Sequence, residues 1–273
     1  ITWVRTKEAP PPENLPKEGV ILGQSIYRGE ERTVRLIDEA RIRHLYIIGQ
    51  TGSGKTQTLI NMALQDMQNG KGICVMDAHG ELAEDLLKLV PKDRINDVIY
   101  FSPSDLSRPL GLNMLEFDPE KPEQKTFIVN EMQSIFNKLF DKASMGPMFE
   151  QYMRNTLILL MEDSANEPCT LMEVPRVFSD DAYRNRKLAR ISNPTVIDFW
   201  EKEAAKATGD WSLANMGVYI ATKFGNFTAN DYMRPIIGQT KSAFNFRKIM
   251  DEVKILLVNL SKGQLGDLNS QLM

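Results

Sequence analysis

The sequence predicts an α/β domain, built on a parallel sheet and interrupted by an all-helical insertion. Three observations support this prediction. Short buried-strand patterns alternate with amphipathic helices over residues 44–101, only helical periodicities occur over 118–252, and a strand pattern returns at 254–260. The length of 273 residues suits one such domain with an insertion. A composition of 42% hydrophobic and 25% charged residues is that of an ordinary globular chain.

The first elements lead toward the sheet. Residues 1–18 carry four prolines among charges, which predicts a linker. Over 19–36, apolar pairs alternate with glycines and charges, and one or two strands are expected there. Residues 44–48 form a compact apolar run that ends at Gly49, a pattern typical of a buried parallel strand.

The alternation that follows defines the sheet. Apolar positions recur at helical spacing after Thr56 until Gly70, and residues 72–77 then read as a second buried strand. Another helix over 82–90 is closed by Pro91, and 98–101 is a short strand. Strand, helix, strand, helix and strand in this order predict parallel strands with right-handed crossovers. Residues 19–117 are therefore assigned to the first part of the core.

The character of the sequence changes after this region. Apolar side chains trace one helical face over 127–139 and another over 149–161, and no convincing strand is found within 118–252. We assign residues 118–252 to a helical insertion. Residues 253–273 are assigned to the return of the chain to the core.

Charge and cysteine content limit the classes of partner. Thirty-three Lys and Arg against 36 Asp and Glu give a net charge of −3, so any nucleic-acid contact needs a local basic patch or the pore of an assembly. Two cysteines are too few for a disulfide framework or a thiolate metal site, which favours a reducing, cytoplasmic-side location. No apolar run approaches the roughly 20 residues of a membrane span. Because residue 1 is not Met, a membrane anchor upstream is left open.

The strongest motif is a phosphate-binding loop. Residues 49–56, GQTGSGKT, match G-x-x-x-x-G-K-[ST] between a predicted strand and a predicted helix. The glycines let backbone N–H groups point at phosphate oxygens, and the helix N-terminus adds partial positive charge. The flanking elements disfavour the alternative, a glycine-rich turn that matches by chance. The predicted nucleotide-binding residues are Gly49, Gln50, Thr51, Gly52, Ser53, Gly54, Lys55, Thr56 and Gln57.

Two residues of this loop have chemical roles. Lys55 is the predicted catalytic residue, bridging the β- and γ-phosphates, and the Thr56 hydroxyl is a predicted ligand of Mg²⁺. Asp77, at the end of the second strand, is the second predicted metal ligand; the alternative is that it caps the helix that follows. Although residues 77–80 fit the D-x-x-G of GTPases, the guanine-reading N-K-x-D is missing, so ATP with Mg²⁺ is the predicted cofactor.

Hydrolysis requires a further group. A carboxylate is needed to polarise the attacking water, and no predicted strand ends in Asp-Glu. The strand at 255–258 has the right character but ends at Asn259. No arginine finger is assigned.

At this point the sequence resembles a known family. The run at 44–48 leading into GQTGSGKT, then VMDAHGEL, RPLGLNML and KILLVNLSKGQLG resemble, in order and spacing over roughly residues 19–273, the conjugative coupling proteins of type IV secretion. These TraD/TraG-like proteins belong to the HerA/FtsK branch of P-loop ATPases. The resemblance implies a RecA-like motor domain that assembles as a hexameric homo-oligomer. It also implies ATP-driven movement of DNA or nucleoprotein at a secretion channel, on the cytoplasmic side and tethered to the membrane.

The sequence departs from that family in two ways. Ala78 stands where these proteins often carry proline. The acidic Walker B pair of the family follows the L-S-K-G segment, so the resemblance implies that the C-terminal part of the motor domain is missing. The catalytic glutamate, the trans-acting arginine and part of the sheet are then expected after residue 273. The 273 residues alone are expected to hydrolyse little ATP.

Three other functions remain open. They are a HerA-type chromosomal DNA translocase, a secretion ATPase that acts on protein, and a nucleotide-binding assembly module without turnover. Within the insertion, four cations over 184–190 suggest either a contact with DNA or a partner, or a solvated helix end balanced by Asp180, Asp181 and nearby acids. The second interpretation is favoured. The four cations are Arg184, Arg186, Lys187 and Arg190.

Overall fold

The computed structural model describes residues 9–141 and 145–273 and contains two compact units. The sheet unit consists of the chain up to Tyr100 together with Phe246–Asn259. The helical unit consists of Phe101–Asn245 together with Leu260–Met273. The protein has the α/β fold class that the sequence predicts, with a small sheet and many helices.

The sheet unit begins with an antiparallel hairpin. Strands β1 (Val20–Tyr27) and β2 (Glu30–Leu36) pair from Val20 opposite Leu36 to Tyr27 opposite Glu30. The short helix α1 (Asp38–Arg41) follows. Among these strand residues only Val20 is buried, so the hairpin lies largely on the surface of its unit.

A three-stranded sheet forms the centre of this unit. Its order is β3 (Ile73–Asp77), β5 (Ile255–Asn259) and β4 (Val98–Phe101), and β3 and β5 run parallel. All five residues of β5 are buried, which explains why ILLVN is continuously apolar up to its last residue. Helices α2 (Lys55–Gln68) and α3 (Glu81–Lys88) contribute to the core of this sheet, and α11 (Phe246–Asp251) precedes β5.

The prediction of a buried strand at 44–48 is wrong. These residues form no strand, and the side chains of Tyr46 and Ile48 are 86% and 80% exposed. A strand requires a hydrogen-bonding neighbour, and within the described residues no strand of either sheet pairs with this run. His44, with φ of 71°, also turns the chain at the start of the run.

The side chain of Arg94 forms hydrogen bonds with three separate positions of the sheet unit. Its guanidinium group is largely buried and donates to the carbonyl oxygens of Met67 (3.2 Å), Lys71 (3.3 Å) and Val253 (2.7 Å). It also pairs with Asp97 at 2.7 Å. The planar fork of arginine suits this role, because its five N–H donors reach several acceptors at once.

The helical unit is built around a large apolar core. In the described part of 118–252 no strand occurs, as predicted. Phe136 is fully buried and contacts the rings of Phe140, Phe149, Phe224 and Phe227. The α-helices of the unit are α4 (Gln124–Leu139), α5 (Pro147–Glu162), α6 (Val174–Ser179), α7 (Asp181–Leu188), α8 (Pro194–Asp198), α9 (Leu213–Thr228), α10 (Arg234–Ile237), α12 (Lys262–Leu265) and α13 (Asp267–Leu272).

Asn113 joins the two ends of the helical region. Its side-chain amide donates to the carbonyl oxygens of Cys169 and Thr240, each at 3.0 Å, and its backbone N–H donates to Ser242 Oγ at 3.0 Å. The segment that enters the helices therefore lies beside the segment that leaves them. This arrangement is what an inserted region requires, since its ends must return to one place.

The boundaries of the compact units lie after Tyr100, Asn245 and Asn259. Residues 101–117 and 260–273 therefore group with the helices, and residues 246–252 group with the sheet. The functional domain boundaries at 117/118 and 252/253 stay a prediction. Part of the predicted linker, residues 1–8, lies outside the described residues, and 9–18 contain no helix or strand. In the part of the chain that the structure describes, no helix combines the length and apolarity needed to cross a membrane.

Candidate nucleotide-binding site

The glycines of the predicted loop adopt the conformations that this loop needs. Gly52 and Gly54 have φ of 80° and 92°, a region that side-chain-bearing residues rarely occupy. A Cβ on Gly49 would collide with the Ser53 hydroxyl. The backbone N–H of Ser53 donates to Gln50 O at 3.1 Å, which closes the turn. Each of these glycines therefore has a conformational or steric reason for its position.

Lys55 is the first residue of α2, and its ammonium group folds back over the loop. Its Nζ donates to the carbonyl oxygens of Gly49 (2.7 Å) and Gln50 (2.9 Å). The ammonium is thus held against the backbone that a phosphate would approach. A bound phosphate would offer Nζ a charged acceptor, and hydrogen bonds between charged groups are stronger than those to neutral carbonyls.

The N-terminus of α2 leaves backbone donors at the loop. Hydrogen bonding within this end begins with the Thr58 N–H, which donates to Gly54 O at 2.9 Å. The N–H groups of the first three helical residues precede it and point out of the helix end. Thr56 and Gln57 are exposed beside them, and the Gln57 amide donates to Asn61 Oδ1 at 3.2 Å. The predicted binding residues therefore form one exposed surface that carries N–H donors and one cation. Their roles toward a nucleotide stay predictions.

Asp77 lies at the end of β3, with its carboxylate directed at its own chain. Its oxygens accept the backbone N–H groups of His79 (2.9 Å) and Ala83 (3.1 Å). Burial raises the pKa of Asp77, but four backbone N–H donors outweigh it and the net effect is a lowered pKa. These bonds agree with the alternative interpretation, in which Asp77 satisfies donors at the start of α3. Its role as a magnesium ligand stays a prediction.

The turn after β3 contains a contact that sequence reasoning missed. Gly80 has φ of 99°, and a Cβ there would collide with the side-chain amide of Asn259, whose Nδ2 would lie 2.8 Å away. The same amide donates to the Tyr100 hydroxyl at 2.8 Å. Asn259 is opposite Asp77 in the parallel pair of β3 and β5. A polar residue at the end of an otherwise apolar strand was the only sequence signal of this contact.

A second missed feature fixes α2 to the hairpin. Gln65 accepts from the Ile21 backbone N–H (2.9 Å) and donates to Ile21 O (3.0 Å). The guanidinium group of Arg41 binds both carboxylate oxygens of the buried Asp66, with one contact of 2.8 Å. The sequence signal for these contacts was the presence of two polar residues, Gln65 and Asp66, near the buried side of an amphipathic helix. Helix α2, which follows the loop, is therefore held near its C-terminal end by two hydrogen bonds to Ile21 and by the ion pair between Arg41 and Asp66.

A groove in the same unit lies between α2 and the segment that precedes the loop. Its volume is about 480 Å³, and apolar side chains from the run at 44–48 and from α2 form most of its wall. The exposed fractions of Leu45 (45%) and Leu59 (42%) are large for leucine in a folded unit. The lining residues are Arg41, His44, Leu45, Ile47, Leu59 and Met62.

The basic cluster of the insertion is neutralised within its own unit. Arg184 is buried, donating to Val177 O (2.9 Å) and pairing with Asp181 (2.6 Å). Lys187, Arg186 and Arg190 pair with acids at 163 and 167. The charge balance of the favoured interpretation is confirmed, although Asp180 pairs with Arg176 instead. The prediction that this helix end is solvated is wrong, because Arg184 and Lys187 are buried.

No metal-binding group of three or more His, Cys, Asp or Glu side chains occurs within 9–141 and 145–273. A protein-family model described as "Helicase HerA, central domain" matches residues 22–198, which is more than half of the chain and contains the entire loop and Asp77. No curated protein matches the chain.

Proposed function

Since the chain belongs to the HerA central-domain family of P-loop ATPases, we propose that it is the nucleotide-binding part of an ATP-driven motor that translocates DNA. The observation that carries the proposal is the loop at 49–56 with Lys55 at the start of α2. Its positive-φ glycines, free helix-end donors and single cation suit the phosphates of a nucleotide.

In this proposal the loop binds Mg²⁺–ATP. The Lys55 ammonium leaves Gly49 O and Gln50 O for the β- and γ-phosphates, where it offsets their charge. Thr56 would hold Mg²⁺ through its side-chain hydroxyl. Hydroxyl and carboxylate oxygens are suitable ligands for this ion. The metal would neutralise phosphate charge as the terminal phosphoryl group is transferred to water. Asp77 contributes through a bridging water, since both of its oxygens already accept backbone N–H groups.

Our finer proposal is a motor of a type IV secretion or conjugation system. It is supported by the similarity of four segments, in order, to conjugative coupling proteins. In this role the chain assembles as a hexameric homo-oligomer, engages DNA in the pore of the ring and contacts secretion-channel proteins. It works on the cytoplasmic side, tethered to the membrane. A DNA path inside a ring suits a chain with net charge −3, because only the pore needs to be basic.

The test is ATP hydrolysis by the full-length protein, measured alone, with single-stranded DNA and with double-stranded DNA. We expect DNA to stimulate turnover and Lys55→Ala to abolish it. Lys92→Ala is the matched control, because Lys92 is an exposed lysine of the same unit, away from the loop. This control is expected to retain wild-type stimulation.

Each other outcome favours a named alternative. Turnover that is indifferent to DNA favours a secretion ATPase acting on protein. Nucleotide binding without turnover in the full-length protein favours an assembly module. If DNA-stimulated turnover is found, a membrane anchor upstream of the loop favours the secretion motor, whereas an N-terminal β-barrel there favours a HerA-type chromosomal translocase.

A further inference from the structure

The helical unit contains a buried cluster of reactive side chains that nucleotide binding does not use. The side chains of Lys187 and Asp163 are fully buried, and Cys169 is 4% exposed. The Lys187 ammonium is 2.8 Å from Asp163 Oδ2 and 3.1 Å from Cys169 Sγ. The hydroxyl of Tyr183 lies 4.0 Å from the same sulfur. A thiol, an amine and a carboxylate are thus in direct contact.

This cluster lies one side-chain layer below the surface. Glu167 and Arg190, which are 33% and 37% exposed, contact Lys187 and Asp163 from outside. The thiol of Cys169 donates to Glu167 O at 2.9 Å, so the sulfur faces this outer layer as well as Lys187. A small neutral oxidant needs to pass only these side chains to reach the sulfur.

We propose that hydrogen peroxide converts Cys169 and Lys187 into a covalent sulfur–nitrogen cross-link. In the first step the sulfur attacks one peroxide oxygen, the O–O bond breaks, and the products are the sulfenic acid of Cys169 and one water. The sulfur is oxidised by two electrons and the peroxide is reduced by two.

In the second step the amine of Lys187 attacks the sulfenyl sulfur. Its ammonium first passes a proton to Asp163, which removes two opposite charges from a buried site. The S–N bond forms as the S–O bond breaks, and the hydroxide leaves as water after taking a second proton from the nitrogen. The sum is one thiol, one amine and one peroxide giving one sulfenamide and two waters.

The contact distance is the reason to expect this product over the free sulfenic acid. The nucleophile already touches the sulfur at 3.1 Å, and both groups are held by their neighbours. The cross-link would join the segment between α5 and α6, which contains Cys169, to Lys187 of α7, entirely within the helical unit. Because it closes a loop in the unfolded chain, we expect the oxidised protein to melt at a higher temperature than the reduced protein.

The test is peptide mass spectrometry of the wild-type chain after hydrogen peroxide treatment and digestion with trypsin. We expect peptide 155–176, which contains Cys169, joined to peptide 187–190, with a mass about 2 Da below the sum of the two. Cleavage after Lys187 should be blocked, and dithiothreitol should restore both separate peptides.

Cys74 is the internal control, because it is an exposed thiol in the same molecule. Dimedone, which traps free sulfenic acids, is added after the peroxide is removed and the protein is unfolded in denaturant, so that burial does not protect Cys169. It is expected to label Cys74 and not Cys169. Lys187→Arg keeps the positive charge but removes the amine nucleophile, and it should shift dimedone labelling to Cys169. Dimedone on Cys169 of the wild-type protein with an unmodified Lys187, or an unchanged Cys169 while Cys74 is oxidised, would overturn the proposal.

Discussion

Replacement of Gly80 by alanine tests the packing of the turn that follows β3. At φ of 99°, a residue with a Cβ is strained by about 1–2 kcal/mol. The new methyl group would also collide with the Asn259 side-chain amide. If that amide moves away, its hydrogen bond to the Tyr100 hydroxyl (2.8 Å) is lost, at about 1 kcal/mol. We therefore expect Gly80→Ala to lower the free energy of unfolding by about 2–3 kcal/mol.

The assay is urea unfolding followed by circular dichroism, with Gly70→Ala as the matched control. Gly70 also has positive φ, 73°, but has open space where a Cβ would lie. Its substitution should cost only the backbone strain, about 1–2 kcal/mol. In an Asn259→Ala background, the loss of unfolding free energy caused by Gly80→Ala should fall to that of Gly70→Ala. If Gly80→Ala costs no more than Gly70→Ala, or costs the same with and without Asn259, the collision argument is refuted.

Three further predictions concern single side chains. Phe136→Ala should destabilise the helical unit by about 3–5 kcal/mol, because it removes a fully buried ring. Phe127→Ala, at an exposed position, should have little effect, and thermal melts of both variants check this. Arg94→Ala should cost about 3 kcal/mol in urea unfolding, since three backbone carbonyls lose a charged donor; an effect below about 1 kcal/mol would contradict this role. The pKa of Asp77 is lowered in the folded state, so its stability advantage over Asp77→Asn should be fully present above the ordinary carboxyl pKa of about 4. The advantage should disappear as the pH falls through the lowered pKa, and an advantage that persists in acid would argue against the observed hydrogen bonds.

Local sequence patterns predicted the three strands of the central sheet and the helices α2, α3, α4 and α5. The strand at 98–101 matches β4, and the apolar stretches at 127–139 and 149–161 lie within α4 and α5. These predictions succeeded because periodicity reports which side of an element is buried, and burial is the largest driving force for its formation. The central position of β5 explains why its residues lack alternation.

The run at 44–48 shows where this reasoning ends. Its composition is that of a buried strand, yet the run forms no strand and Tyr46 is exposed. A helix satisfies its own backbone hydrogen bonds, whereas a strand depends on a neighbour supplied from elsewhere in the chain. Apolar composition alone therefore cannot specify a strand.

The sequence by itself was enough to predict the phosphate-binding loop, because its motif lies in eight consecutive residues and depends on glycine conformations and one helix end. Only the tertiary structure decided what the dispersed polar residues do. Asn259 meets Gly80 across two parallel strands, and Lys187 meets Asp163 and Cys169 inside the helical unit. Such contacts join residues that are distant in sequence, and their energies depend on burial and on distances that only the folded chain defines.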